Sequence, residues 1–143
     1  MSNGASNIQT IRIIHIALTF GPTAFIILCS TVLKERLVTE NEVFYLVGLV
    51  FGIMASVAAF FLPSFLSKSM IKQNDRDSGY QTLKIIQLAI LESSALLNGV
   101  FFFITGKQES LIISIVLILV LASRFPSEAE KDKLFPKGNI PYN

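Results

Sequence analysis

Two stretches of this chain, Ile13 to Leu33 and Val43 to Ser67, contain no Asp, Glu, Lys or Arg. A hydrocarbon core about 30 Å thick takes about 20 helical residues to cross, and both stretches are longer than that. Inside the core, every backbone amide must find its partner within the protein. Runs of this length therefore predict spanning α-helices. A third run, Leu83 to Thr105, is as long but carries Lys84 near its start and Glu92 near its middle. A fourth, Ser110 to Ser123, falls short of a full crossing and approaches one only if Lys107 and Arg124 extend the helix by bending toward the two surfaces. The prediction is an all-α integral membrane four-helix bundle, a single membrane domain. Its helices lie at about 8–33, 43–67, 81–105 and 107–124, with a tail at 125–143.

Helix starts carry a second signal. Ser6 with Gln9, Thr39 with Glu42, Ser78 with Gln81, Thr105 with Gln108 and Ser127 with Glu130 all have the spacing of a capping box. They predict starts for the four crossings and for a short tail helix. Pro22 deprives the Leu18 carbonyl of its helical partner and predicts a kink in the first crossing, while Pro63 falls near the end of the second. Gly106 supplies a turn between the third and fourth. The polar Met1 to Asn7 segment precedes a run too long for the apolar part of a cleaved signal peptide, so the first helix is expected to be retained.

Composition narrows the function classes. Apolar residues make up 52% of the chain and charged residues only 15%, outside the usual range of a soluble domain. The net charge of +2 is spread over the flanks of the apolar runs, so no nucleic-acid partner is expected. One cysteine, Cys29, excludes an internal disulfide and a thiolate metal site. No nucleophile triad, metal-ligand cluster or phosphate loop is present, so no enzyme and no cofactor is expected.

Lys and Arg set the orientation. With a cytoplasmic N-terminus, Arg12, Lys68, Lys72, Arg76, Lys84, Arg124, Lys131, Lys133 and Lys137 fall on the inner side, and Lys34, Arg36 and Lys107 on the outer. Nine against three places both termini and the 68–81 loop in the cytoplasm of a multi-pass inner (plasma) membrane protein. The tail then runs along the inner surface, its Leu134, Phe135, Ile140 and Tyr142 touching headgroups or docking on a partner.

Small residues mark close helix approach. Gly48, Gly52 and Ser56 recur at every fourth position, and Gly99 serves the third helix. The second-helix stripe fits packing within the chain or a contact between subunits. The segment from Ile11 to Ala24 echoes that from Leu83 to Leu96 position for position, pairing Arg12 with Lys84 and His15 with Gln87, which a duplicated helical hairpin would explain.

Glu92 is the candidate site. It lies about 12 residues, or roughly 18 Å, from the inner start of its helix. An acid at that depth needs a partner, a cavity or a bound ion. It is either a neutral packing acid or a reversible proton or cation site. Ala89, Ala95 and Gly99 share its face, while Gln87, Ser94, Asn98 and Thr105 form a separate polar stripe. His15, Gln87, Ser94 and Asn98 are its candidate neighbours, and His15 is otherwise a neutral imidazole bonded near the interface.

The segment from Val43 to Thr105, a small-residue helix, a polar loop and then LAILESSALLNGV, resembles the helical hairpin of rotary ATPase proteolipids, the c-type subunits. That resemblance covers less than half of the chain and implies a proton- or cation-binding subunit with Glu92 as the ion-carrying carboxylate. The whole chain, with its AILESSA core and RFPSE, is also similar to small uncharacterised four-helix bacterial membrane proteins. This second likeness implies the architecture and no activity. The class that remains beside an ion-binding subunit is a non-catalytic accessory or structural subunit of a larger membrane complex. In either class the partners are the lipid bilayer and further copies or other membrane subunits.

Overall fold

The computed structural model describes residues 3–31, 42–70 and 76–136, with side chains from Ile8 onward. Among the described residues all regular structure is helical: α1 Asn3–Thr31, α2 Glu42–Met70, α3 Arg76–Thr105, α4 Gln108–Ser123 and α5 Glu128–Leu134. Residues 8–31 of α1, and the whole of α2 and α3, are long and apolar enough to cross a membrane. Helix α4, with 16 residues, measures about 24 Å. It turns by 85° into α5.

Most boundaries differ from the sequence reading by a few positions, and two of the differences matter. The described residues of the 68–81 loop are helical, since α2 runs on to Met70 and α3 is already formed at Arg76, more than a turn before Gln81. The extra turn of α3 is stabilised by tertiary contacts that no local pattern encodes: Asp77 pairs with Lys131, and Arg76 with Asp132 of α5. The capping boxes fare unevenly. Ser6 and Ser78 lie inside helices that begin earlier, and Thr39 is outside the described residues. Thr105 Oγ1 donates to the Phe101 carbonyl of its own helix and accepts from Lys107 N, so Lys107 is the N-cap of α4 and no side chain caps the helix. Only Ser127 caps, accepting from Glu130 N at 3.2 Å. Val32 and Leu33 also lie outside the described residues.

Pro22 is buried within an uninterrupted α1. Thr19 and Thr23 donate to the carbonyls of His15 and Thr19 at 2.8 and 2.7 Å, adding a second acceptance to carbonyls on either side of the one that Pro22 frees. Gly106 closes α3 at φ 68, a left-handed conformation that costs little without a Cβ, and its amide returns to the Phe102 carbonyl at 2.8 Å. One further residue, Lys107, suffices to start α4 back along α3.

Chain directions follow from side-chain contacts. Gly21 meets Glu92 and Gly99 meets Phe25 and Ile26, so α1 and α3 run parallel. Gln87 reaches Ala59 and Asn98 reaches Gly48, so α2 opposes α3. Ser114 reaches Ala95, so α4 opposes it too. Helix α3 is the centre, packed against α1, α2 and α4, and it separates α1 from α2. Because α3 and α4 pack extensively while α1 and α2 touch at most marginally, the two halves of the internal echo are not packed alike.

The inner faces are fitted by small residues. Gly48, Gly52, Ala55 and Ala59 of α2 are buried, and Ser56 is half-buried with its hydroxyl on the Gly52 carbonyl. The outer faces are large and apolar: Phe61 is 71% and Phe65 76% exposed. That inversion suits a lipid environment, where association comes from close packing and not from expulsion of water. A methyl group on Gly48 would come within 2.5 Å of Asn98 Oδ1, in a side chain already fixed by its bond to the Gly48 carbonyl. Gly48→Ala is therefore expected to cost about 2 kcal/mol through overpacking. Phe61→Ala on the outer face should leave thermal unfolding in mild detergent nearly unchanged, and equal losses in the two variants would contradict this packing.

Candidate functional site

Glu92 stands close to the middle of α3, which runs from Arg76 to Thr105. Its side chain is half-buried and turned toward α1, where a methyl group built on Gly21 would lie 3.4 Å from Oε1. The absence of a side chain at Gly21 leaves the carboxyl group its room beside the buried Pro22. Among the described residues Glu92 makes no hydrogen bond and no ion pair with another side chain.

The polar stripe of α3 points elsewhere. At 100° per residue, Gln87 and Asn98 lie about 120–140° around the helix from Glu92. Gln87 Nε2 donates to the Ala59 carbonyl at 2.6 Å, and Asn98 Nδ2 donates to the carbonyls of Gly48 and Ser94 at 3.1 and 3.0 Å. Both amides thus fasten α3 to α2. Their oxygens, Gln87 Oε1 and Asn98 Oδ1, and the hydroxyls of Ser94 and Ser110 are buried without a hydrogen-bond partner among the described residues. Helix α4 is tied in the same manner by Ser114, which donates to the Ala95 carbonyl at 2.8 Å.

His15 is buried at one end of the molecule, with Nε2 2.9 Å from the Leu121 carbonyl and its ring edge-on to Phe125. A carbonyl can only accept, so Nε2 carries the proton and donates. His15 thereby joins α1 to the end of α4, between one and two turns along α1 from Gly21. The candidate set is thus brought together by α3 as a helix and not around one point. Glu92 faces α1, Gln87, Ser94 and Asn98 face the α2 side, and His15 serves α4. Among the described residues no group of three or more His, Cys, Asp or Glu could hold a metal ion.

A second polar centre lies at the end of the molecule where α5 folds back, and the sequence reading missed it. Lys84 has no exposed side-chain surface, and its ammonium donates to both oxygens of Glu130 at 2.9 and 2.7 Å. The Tyr80 hydroxyl donates to the same carboxylate at 3.0 Å. Arg76 donates through Nε to the Phe135 carbonyl at 2.6 Å and pairs with Asp132, while Lys131, 3% exposed, meets Asp77 at 2.5 Å. Phe135 is buried against Gly79 and Tyr80 in a cluster with Ile8 and Ile11 of α1, so its ring touches neither headgroups nor a partner. Leu134 packs against the same cluster, and Ile140 and Tyr142 lie outside the described residues. Each cation in this cluster counts in the sequence only as one more inner-side charge. What could have betrayed the pairing is the alternation of Glu128, Glu130 and Asp132 with Lys131 and Lys133 beside an intact N-cap.

The end of α4 is held by two arginines. Arg124 lays its guanidinium 3.9 Å from the centre of the Phe60 ring, and Arg12 donates to the Pro126 carbonyl while lying over Phe125. At the opposite end Lys107 comes within 4.0 Å of Glu42.

Compared with protein-family models, curated proteins and solved structures, the chain finds no match.

The α5 cluster can be tested without knowledge of function. Glu130→Ala leaves Lys84 buried and unpaired, and is expected to cost about 3 kcal/mol, toward the low end for a broken buried pair because Glu130 is partly exposed. Lys84→Met combined with Glu130→Leu should recover most of that loss in thermal unfolding. A double variant as unstable as the single one would contradict the pairing.

Proposed function

We propose that the chain is a small four-crossing protein of the plasma membrane, with both termini cytoplasmic, and that it works as a proton-binding membrane subunit through Glu92. The observation that carries the reading is the placement of this carboxyl group: mid-helix, half-buried, opposite a glycine, with no cation or donor against it among the described residues. A carboxyl group so placed in hydrocarbon has two states of very different cost, and the neutral one is favoured until a partner or water reaches it. A proton is the better ligand than a metal cation, because a bare cation there would need several oxygens converging with Glu92. The nearby amide oxygens lie around the other side of α3.

Four crossings follow if α4 is lengthened by its flanking cations. Arg124 over the Phe60 ring, and Lys107 near Glu42, have the snorkelling posture this requires. Orientation rests on the cation count. Arg12, Arg76, Lys84, Arg124 and Lys131 gather at the α5 end through their contacts, while Lys107 is at the other.

The accessory-subunit reading is favoured by one observation, an uncovered strip of small residues on α3 at Ala89 and Ser93. Lipid alone is a poor complement to such a strip.

Labelling with a hydrophobic carbodiimide tests the proton reading, since the reagent needs a protonated and accessible carboxyl group. In proteoliposomes Glu92 is expected to be modified selectively, and less as pH rises. Glu92→Gln is expected to abolish both the labelling and any proton flux that depends on the protein. Proton flux and assembly unchanged by Glu92→Gln would rule the reading out.

A further inference from the structure

A groove follows α1 where the chain leaves the end of α4. It measures about 320 Å³ and is lined by His15, Ile16, Thr19, Phe20 and Thr23 of α1 and by Phe125. That volume is at the low end of the range for small-molecule sites. The groove opens on an apolar surface, since Ile16 and Phe20 are 60% and 69% exposed. Phe125 is held in place edge-on to His15, with the Arg12 guanidinium over its ring and Arg12 itself anchored on the Pro126 carbonyl.

The polar atoms lining this groove are all acceptors. His15 is 4% exposed, and its far ring nitrogen, Nε2, donates to the Leu121 carbonyl of α4. In the neutral ring that leaves Nδ1 as an acceptor. Nδ1, the nitrogen nearer the α1 backbone, is buried without a hydrogen-bond partner among the described residues. Thr19 and Thr23 commit their protons to the carbonyls of His15 and Thr19, so their oxygens can accept a further bond but not donate one. A buried acceptor left unpaired in apolar surroundings is costly.

That chemistry selects the occupant. An acyl chain has no proton to donate, and the ester oxygens of a diacyl lipid only accept. The complement is a lipid-soluble molecule whose head is a flat ring bearing hydroxyl groups, for which Phe20 and Phe125 supply aromatic partners. Thr19 is one turn, about 6 Å, along α1 from His15, a separation of the same order as that of the two hydroxyls of a para-quinol. We infer that the groove binds a quinol, one hydroxyl donating to His15 Nδ1 and the other to Thr19 Oγ1, with the apolar tail leaving across Ile16 and Phe20. The oxidised quinone has only carbonyl acceptors to set against the same atoms, so the site takes the reduced form and rejects the oxidised one. This site is separate from the proposed proton site. Glu92 meets α1 at Gly21, about 160° around that helix from Thr19 and Thr23.

The test uses the full chain in lipid nanodiscs under anaerobic conditions, with three probes that share a ring and a decyl tail: a benzoquinol, its quinone and the quinol dimethyl ether. His15 is the one histidine of the chain, so nitrogen-15 histidine labelling reports its two ring nitrogens alone. The quinol is expected to saturate, to move the Nδ1 resonance more than that of Nε2, and to bind about tenfold more tightly than the quinone or the ether. Ile16→Trp, which fills the groove from an exposed position and removes no hydrogen bond, should abolish saturable binding while cooperative unfolding is unchanged. His15→Phe is expected to lose the preference for the quinol over its ether. Equal binding of quinol and ether, preferred binding of the quinone, an unmoved Nδ1 resonance, or a proton on Nδ1 instead of Nε2 in the free protein would each overturn the inference.

Discussion

Hydrocarbon offers polar groups no partner, and the arrangement of this protein follows from where its polar groups lie along the chain. Helix α3, long and apolar enough to cross a membrane, holds Lys84, Gln87, Glu92, Ser94 and Asn98 within its length. Such a helix is costly on the outside, and it is the one that packs most extensively against the other three. Its side-chain amides and hydroxyls do not bond to one another. The amides of Gln87 and Asn98 reach across to carbonyls of α2, and Ser114 of α4 donates its hydroxyl to α3, so that these polar side chains act as helix-to-helix fasteners. The glycines and alanines of α2 make those bonds short enough to form.

The same constraint shapes the end near α5. Cations at the edge of a bilayer are ordinary, but Lys84 and Lys131 are buried, and a buried charge without a counter-charge is costly. The chain meets this by bending 85° after α4 and laying an acidic helix over the start of α3. Phe135 seals the contact against Gly79, where a Cβ would stand 2.9 Å from the ring. Helix α5 is therefore part of the folded unit and not a loose tail.

What the sequence made legible was whatever depends on local pattern: the long charge-free runs, the turn at Gly106, the cap at Ser127 and the acid in mid-helix. What it hid depends on pairs distant in sequence. Lys84 and Glu130 are far apart along the chain, and nothing at either position announces the other. The start of α3 was placed too late because its first turn is polar, and its helical state comes from α5. Three of the four candidate neighbours of Glu92, namely Gln87, Ser94 and Asn98, are near it along the helix, yet a helix turns 100° per residue, so Ser94 two positions on faces away. The residue that does face the carboxyl group, Gly21, was invisible for the opposite reason: a glycine contributes space and no chemistry.

Whether this protein handles protons depends on the state of one carboxyl group. Infrared difference spectra of the protein reconstituted in lipid, recorded across pH, observe it directly. The expected signal is a carbonyl stretch from a protonated carboxylic acid that appears and disappears reversibly with pH, persists in hydrated and dried films, and is lost in Glu92→Gln. A spectrum in which Glu92→Gln removes no such band, or in which the band never changes with pH, would contradict a proton-binding role for Glu92.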